Sequence, residues 1–278
     1  MALDAKARIK FVRHALLLAY EGSNYYGMQY QGDKFPSIHE TEDDYGDRRR
    51  LDISYASRTD KSVSATGQIV SAILPLYEDL TRTGVDTINR CLPDTIRVLG
   101  ICRAPKSFNA KIWCDARTYC YVVPTYAFAS CDELTDSDYR ISEQRMKEVS
   151  QVLSVYEGFH NFFNYTSGKK YTEESVKRHI YSFGFADAPY LYYDEAHNVD
   201  VEFITIRVKG QSFMLHQIRK MIGTTIWLMR NLMSKADLWK SFRTKEWTFL
   251  KHQVWVSFWT SSTSIIWRKV WQDTFLSE

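Results

Sequence analysis

The stretch SRTDKSVSATG, residues 57–67, places one carboxylate between two cations: Asp60 lies two residues after Arg58 and directly before Lys61. The neighbouring positive charges favour the ionised form of the carboxylate. Asp60 is therefore unsuited to donate a proton at neutral pH, and a conventional glycosidase would also need a second, protonated carboxylate. A single ionised aspartate could instead act as a nucleophile or base at a sugar–base bond. An ordinary surface turn is the alternative, since charged and small residues are common in turns.

Two further groups could act with such an aspartate. Tyr119 and Tyr121 alternate with Arg117 in a run typical of a strand, and could belong either to the core or to an aromatic surface. Arg219 follows His216 by three positions on a basic helix. It could act beside the aspartate, or it could simply belong to a helix face exposed to solvent.

Familiar catalytic signatures are absent from the sequence. It contains no G-x-S-x-G, H-E-x-x-H, G-x-x-x-x-G-K or strand-linked G-x-G-x-x-G motif, and no histidine pairs with cysteine at metal spacing. We therefore expect neither a metal nor a cofactor. The five cysteines form no C-x-x-C pair, which favours a reducing compartment over a disulfide framework.

Charge is distributed unevenly along the chain, although the formal net charge is only +3. The segment between Glu202 and Asp237 holds six basic residues and no acidic one, and the segment between Asp94 and Asp115 holds four and none. Such stretches suit a polyanion such as RNA, with merely solvated faces as the alternative.

No apolar segment predicts a membrane span, because no window reaches the roughly 18 apolar residues required. The short run HALLLAY is interrupted by Glu21 and does not resemble a secretory signal. We expect an intracellular protein of the nucleus or the mitochondrion, with the cytoplasm as a third option.

Strand-like runs and a few helices interleave irregularly, which predicts an α+β fold rather than a regular βαβ winding. Predicted strands lie at 12–20, 51–57, 68–74, 96–104, 117–125 and 199–210. Predicted helices lie at 85–92, from Ser142 to a stop at Gly158, and at 212–231. Asp60 is thus expected on a loop between strands, Tyr119 on a strand and Arg219 on a helix.

Six ordered stretches resemble the TruA family of tRNA pseudouridine synthases, and most closely its eukaryotic branch. They span roughly residues 10–230, and their order and compatible spacing are far more specific than any one of them. The stretches are LLLAYEGSNYYGMQ (16–29), SRTDKSVSATGQIV (57–70), RCLPDTIRVLG (90–100), FNAKIWCDARTYCYVVPTYAFA (108–129), YEGFHNFFNYTS (156–167) and IRVKGQSFMLHQIRKMIG (206–223).

The resemblance implies an α+β pseudouridine synthase fold, with two ferredoxin-like or RRM-like subdomains whose antiparallel sheets flank a basic active-site cleft. Residues 8–112 would carry the aspartate loop, and residues 113–278 would carry the tyrosine strand and the basic helix. The implied activity is isomerisation of uridine to pseudouridine in tRNA, and in other RNAs as a wider option, by an intramolecular transferase acting on a flipped uridine without a cofactor.

Site residues carry over from the family by motif position. Asp60 matches the catalytic aspartate, Tyr119 the tyrosine that stacks on uracil, and Arg219 the basic partner of the aspartate. Arg58 would occupy the space of the flipped base or hold the RNA backbone, and Ile265 would line the uracil pocket. Further candidates for binding RNA or substrate are Tyr26, Lys61, Arg117, His216 and Lys220.

Three departures from the family pattern stand out. Ser62 replaces a usual glycine, so a positive φ there would strain the backbone. Residues 37–50 are highly charged where the family has an amphipathic helix, and residues 232–278 hold six of the eight tryptophans and match the family poorly. These last two features motivate the alternative hypothesis of an RNA-binding or assembly component of a larger ribonucleoprotein, with the Trp-rich segment contacting partners.

Overall fold

The computed structural model describes residues 10–32, 34–39, 51–76, 84–133 and 135–245. They form two compact units, residues 10–114 and residues 115–245. The division lies two residues after the boundary predicted from the sequence. Within the described ranges, none of the helices is long and apolar enough to cross a membrane.

The first unit contains a four-stranded antiparallel sheet. Its strands are β1 (Phe11–Tyr20), β2 (Ser54–Tyr55), β3 (Ala65–Pro75) and β4 (Ile96–Arg103), in the order β2-β3-β1-β4. Two helices, α1 (Gly84–Cys91) and α2 (Ala110–Trp113), accompany the sheet. One face of β1 and β3 is apolar, so that Tyr20 and Val70 meet Met28 and Ile96 in a buried cluster.

The second unit contains a five-stranded antiparallel sheet and three helices. The strands are β5 (Arg117–Pro124), β6 (Gly158–Asn161), β7 (Lys177–Phe185), β8 (Tyr190–Asp194) and β9 (Val199–Gly210). Their order is β5-β9-β7-β6, and β8 pairs with the first half of β9. The helices are α3 (Glu143–Ser154), α4 (Gln217–Met229) and α5 (Lys235–Arg243).

The core of the second unit lies between its sheet and the helices α3 and α4. Helix α3 begins where the Ser142 hydroxyl accepts a hydrogen bond from the Arg145 backbone N–H, and it buries Val149 and Leu153. The fully buried Tyr156 lies edge-on to Tyr165 at 5.6 Å between ring centroids. The Tyr156 hydroxyl donates to the Met221 carbonyl at 3.2 Å, so this packing holds α4, which carries part of the basic motif.

The α+β class and most predicted elements are confirmed, and four bounds are wrong. Strand β3 begins at Ala65, three residues before the strand predicted at 68–74. The strand predicted at 51–57 is only β2, because Asp52 has a φ of 41° and breaks the extended backbone. The helix predicted at 212–231 begins at Gln217, because His216 adopts a left-handed φ of 61°. Helix α3 ends at Ser154, and Gly158, with a φ of 92°, opens β6 instead of stopping the helix. Residues 40–50 lie outside the described part of the chain.

Candidate active site

Asp60 lies on the loop that joins β2 to β3, and two buried side chains fix the start of this loop. Gln68, only 4% exposed, donates from Nε2 to the Ser57 carbonyl at 2.6 Å, and its Oε1 accepts from the Ser57 N–H at 3.3 Å. Thr59, 9% exposed, is hydrogen-bonded through its hydroxyl to the buried Tyr20 hydroxyl at 2.8 Å. With Thr59 held inward, Arg58 is exposed and Asp60 is half-buried.

A second segment, formed by residues 21–32 and 34–39, packs closely against the same loop. The Met28 N–H donates to the Thr59 carbonyl at 3.2 Å. Gly27 has a φ of 115°, and a Cβ there would lie 2.5 Å from the Thr59 carbonyl oxygen; a Cβ on Gly22 would lie 2.1 Å from the Val63 oxygen. Both approaches require glycine, so this segment clamps the aspartate loop from the side.

Ser62 closes the turn that follows Asp60. It has a φ of 62°, so the position that the family resemblance predicts to be glycine does adopt the left-handed backbone. Its N–H donates to the Tyr25 carbonyl at 3.0 Å, and the Val63 N–H donates to the Asp60 carbonyl at 3.2 Å. These bonds hold a serine in a conformation that glycine adopts more easily.

The two cations that flank Asp60 in sequence act on other groups within the first unit. The Lys61 ammonium lies 4.1 Å from the centroid of the Tyr26 ring, a cation–π contact. Burial raises the pKa of Tyr55 to about 12, and the nearby charge of Arg58 opposes that rise. Among the described residues of this unit, no cation forms an ion pair with the Asp60 carboxylate.

Tyr119 lies on β5, directly opposite Val208 of β9, on the face of the sheet that the helices cover. Its ring meets the ring of Phe213 edge-on, at 5.2 Å between centroids and 84° between planes. Phe213 in turn packs onto Gly210, where an added Cβ would lie 3.0 Å from Phe213 Cζ. Phe213, in the loop after β9, therefore packs against one side of the Tyr119 ring and holds the ring in place.

Arg219 lies in the first turn of α4, exposed and within electrostatic range of Tyr121. Burial raises the pKa of the Tyr121 hydroxyl, and the guanidinium charge of Arg219 lowers it. Because Tyr121 follows Tyr119 by two residues on the same strand, the second unit brings the predicted tyrosine and the predicted arginine to neighbouring positions.

Two other predicted RNA-binding residues donate hydrogen bonds to backbone carbonyls of the second unit. Arg117 Nη1 donates to the Gln211 carbonyl at 2.7 Å. Lys220 Nζ donates to the Thr166 carbonyl at 2.9 Å, and burial lowers the pKa of its ammonium. His216 is exposed at the start of α4. Arg117 and Lys220 thus have structural contacts of their own, beside the RNA contacts predicted for them.

Comparisons with known proteins point to one family. The family model described as tRNA pseudouridine synthase matches residues 152–254. The chain is 38% identical over 242 residues to the Pseudouridylate synthase 1 homolog of Mus musculus, a match that covers 82% of this chain and 55% of the relative. The chain carries a TruA-type pseudouridine synthase domain.

Other relatives point the same way. The Homo sapiens Pseudouridylate synthase 1 homolog is 38% identical over 246 residues, covering 83% of this chain and 55% of the relative. The tRNA pseudouridine(27/28) synthase of Saccharomyces cerevisiae is 28% identical over 284 residues, covering 76% and 73%. The chain spans just over half the length of its mouse and human relatives. The family resemblance drawn from the sequence is confirmed.

The predicted site residues of this pseudouridine synthase domain lie in both units. The first unit carries Tyr26, Arg58, Asp60 and Lys61, and the second carries Arg117, Tyr119, His216, Arg219 and Lys220. The predicted pairing of Arg219 with Asp60 joins the two units and stays a prediction. Ile265 lies outside the described residues. Within the described ranges, no group of His, Cys, Asp and Glu side chains could hold a metal ion.

The sequence reasoning missed the residues that support the site: Thr59, Gln68, Gly210 and Phe213. Gln68 left a signal, because it lies in phase with Val70 and Ala72 on the apolar stripe of β3, and a polar residue there must find buried hydrogen-bond partners. Phe213 left no comparable signal, because an aromatic residue in a loop can pack in many ways that have no connection with a functional site.

Proposed function

We propose that this protein is a tRNA pseudouridine synthase, an intramolecular transferase that isomerises uridine to pseudouridine without a cofactor. The observation that carries the proposal is the position of Asp60. Its carboxylate is half-buried on a loop that the buried Thr59 and Gln68 hold in place. The names of the relatives, which are of pseudouridine synthases, support the same proposal.

In the proposed reaction the target uridine is first flipped out of the RNA, at a cost of a few kcal/mol that phosphate contacts offset. Asp60, ionised, attacks as a nucleophile or acts as a base, and the N1–C1′ bond breaks. The uracil turns, and a C5–C1′ bond forms. The hydrogen on C5 then leaves as a proton while N1 gains one, so that the product is an isomer of the substrate.

The other residues have supporting roles in this proposal. Tyr119 stacks on the uracil ring and is the candidate for removing the C5 proton, with its ring held from the side by Phe213. Arg219 would pair with Asp60 and keep the carboxylate ionised and oriented. Rigid mounting matters because a catalytic group must be held within about 0.5 Å of its productive position.

The relatives favour this enzyme over the alternative of a ribonucleoprotein component, since each relative named above is called a synthase or the homolog of one. The proposed substrate is tRNA, and the proposed compartment is the nucleus or the mitochondrion, with the cytoplasm as a third. No described feature points to a ribonucleoprotein partner.

The test is release of tritium from tRNA that carries [5-³H]uridine. The wild-type protein should release it, and Asp60→Asn should abolish the release while thermal unfolding and tRNA binding stay the same. Asp187→Asn, at an exposed loop position, is the matched control and should behave as the wild type does. The assignment is wrong if the wild type binds tRNA and releases nothing, or if Asp60→Asn stays active.

A further inference from the structure

The sheet of the second unit has one covered face. The opposite face is buried at one end, at Val122 and Phe203, and open at the other, around Arg207 and Lys209. The covered face is buried against the helices and includes Ile180, Phe183, Ile206 and Val208, each at most 3% exposed. Tyr119 and Tyr121 belong to this covered side, since they lie opposite Val208 and Ile206. We call the other side the outer face; it is formed by the alternate residues of the same strands, chiefly Phe159, His179, Tyr181, Arg207 and Lys209.

Aromatic side chains occupy one half of the outer face. Phe159 of β6, 64% exposed, lies opposite His179 of β7. His179 meets Tyr181 at 4.9 Å between ring centroids, and Tyr181 is 44% exposed at the bulge between Ile180 and Ser182. Three exposed rings clustered on adjacent strands indicate a surface that binds a ligand.

Two cations, Arg207 and Lys209, occupy the other half of the outer face. Arg207 lies opposite Gly184 and Cys120, and Lys209 opposite Ser182 and Thr118, so that small residues surround both. Arg207 and Lys209 are exposed, and no acidic residue in the described ranges forms an ion pair with either. A Cβ added at Gly184 would meet no atom within 4 Å, which shows that the face is open at its centre.

We propose that the outer face binds a single-stranded segment of RNA. Bases would stack on Phe159 and Tyr181, and the phosphates would lie against Arg207 and Lys209. Neighbouring strands are about 4.8 Å apart, so the rings of β6 and β7 and the cations of β9 lie within the span of two or three nucleotides. Exposed rings beside cations on an antiparallel sheet are a common means of binding single strands.

Other occupants suit the face less well. An acidic peptide would satisfy Arg207 and Lys209 but would leave the rings of Phe159 and Tyr181 without a matching surface. A second copy of the chain would place cations opposite cations across a two-fold interface. Because Tyr119 lies on the opposite side of the sheet, the outer face is a separate RNA contact and not an extension of the candidate active site.

The direct test measures binding of a labelled 12-nucleotide oligouridylate and of whole tRNA by fluorescence anisotropy at two salt concentrations. Phe159→Ala combined with Tyr181→Ala should weaken oligouridylate binding about tenfold or more. Arg207→Gln combined with Lys209→Gln should weaken binding and reduce the slope of log K against log salt by about 1.4. Leu191→Ala and Lys147→Gln, at exposed positions away from this face, are the controls and should bind as the wild type does.

Several results would overturn the proposal. Unchanged binding by both double variants, no oligouridylate binding by the wild type, or a loss on charge removal alone would each exclude a stacking surface. So would a dimer, seen in sedimentation, that the ring substitutions dissociate without any effect on RNA binding. The proposal does not rest on the chemistry of Asp60: if the wild type releases no tritium yet the double variants lose RNA affinity, the proposed function fails and this surface stands.

Discussion

Ser62→Gly should stabilise the protein, because the wild-type serine holds a φ of 62° directly beside the aspartate loop. An L-residue in the left-handed region costs about 1–2 kcal/mol that glycine does not incur. Against this, glycine gains about 0.4–1 kcal/mol of freedom in the unfolded chain. The Ser62 hydroxyl lies 3.5 Å from the Ser23 carbonyl, too far to contribute much. The net gain in the free energy of unfolding is about 0.5–1 kcal/mol.

The gain is measured by urea denaturation, where the midpoint should rise with an unchanged m-value, and by a Tm increase of about 2–4 °C for each kcal/mol. Ser182→Gly is the matched control. Ser182 is exposed within β7 and has no positive φ, so glycine there should lower the free energy of unfolding by about 0.5–1 kcal/mol. If the free energy of unfolding rises in Ser62→Gly and falls in Ser182→Gly, the gain at Ser62 comes from relief of backbone strain and not from a general effect of glycine.

The reasoning is refuted if Ser62→Gly lowers the free energy of unfolding by as much as Ser182→Gly does. It is refuted equally if the m-value changes with the midpoint, because the denatured state would then have changed. A stabilised variant that loses tritium release would show, in addition, that the strained turn contributes to the geometry of Asp60.

Three further changes test the supports of the site. Gln68→Met should lower the free energy of unfolding by about 1–3 kcal/mol in a denaturant titration, because it leaves the Ser57 backbone groups without their partner. Phe213→Leu should lower kcat while the tRNA Kd stays within about twofold, because the Tyr119 ring loses its aromatic neighbour. Phe213→Tyr keeps an aromatic ring there and should keep kcat near the wild-type value. Since the folded pKa of Tyr55 is raised to about 12, stability should be fully present below pH 10 and should fall between about pH 10 and 12, with a shallower fall in Tyr55→Phe.

The pattern of apolar, aromatic and polar residues predicted β1, β4, β5 and β9, but it missed β6, β7 and β8. Strand β9 runs from Val199 to Gly210 as predicted, and β1 and β4 agree to within one residue at each end. The helix cap at Ser142 also follows from local sequence, because a serine hydroxyl satisfies a free backbone N–H of the first turn. Elements whose bounds depend on backbone with a positive φ could not be predicted, since Asp52 and His216 carry no glycine signal.

The chemistry-bearing residues of the site could be proposed from the sequence, but their supports could not. Thr59 depends on Tyr20, which is 39 residues away, and Gln68 depends on Ser57 across the loop. Such partners are set by the pairing of β3 with β1 and with β2, and a one-residue change of register would remove them. The local motif thus identifies Asp60, and only the folded sheet explains why its loop is rigid.

Positive φ angles at non-glycine residues occur at five places within the described ranges, and their distribution is informative. Three are Asp52, Asn198 and Asn231, whose short polar side chains tolerate the left-handed region. The other two are Ser62, two residues after Asp60, and His216, three residues before Arg219. Strain of this kind persists only where the surroundings impose it, as the hydrogen bond from the Ser62 N–H to Tyr25 does. The predicted aspartate motif therefore contains a serine held against its own preference, two residues after the group that we propose to react.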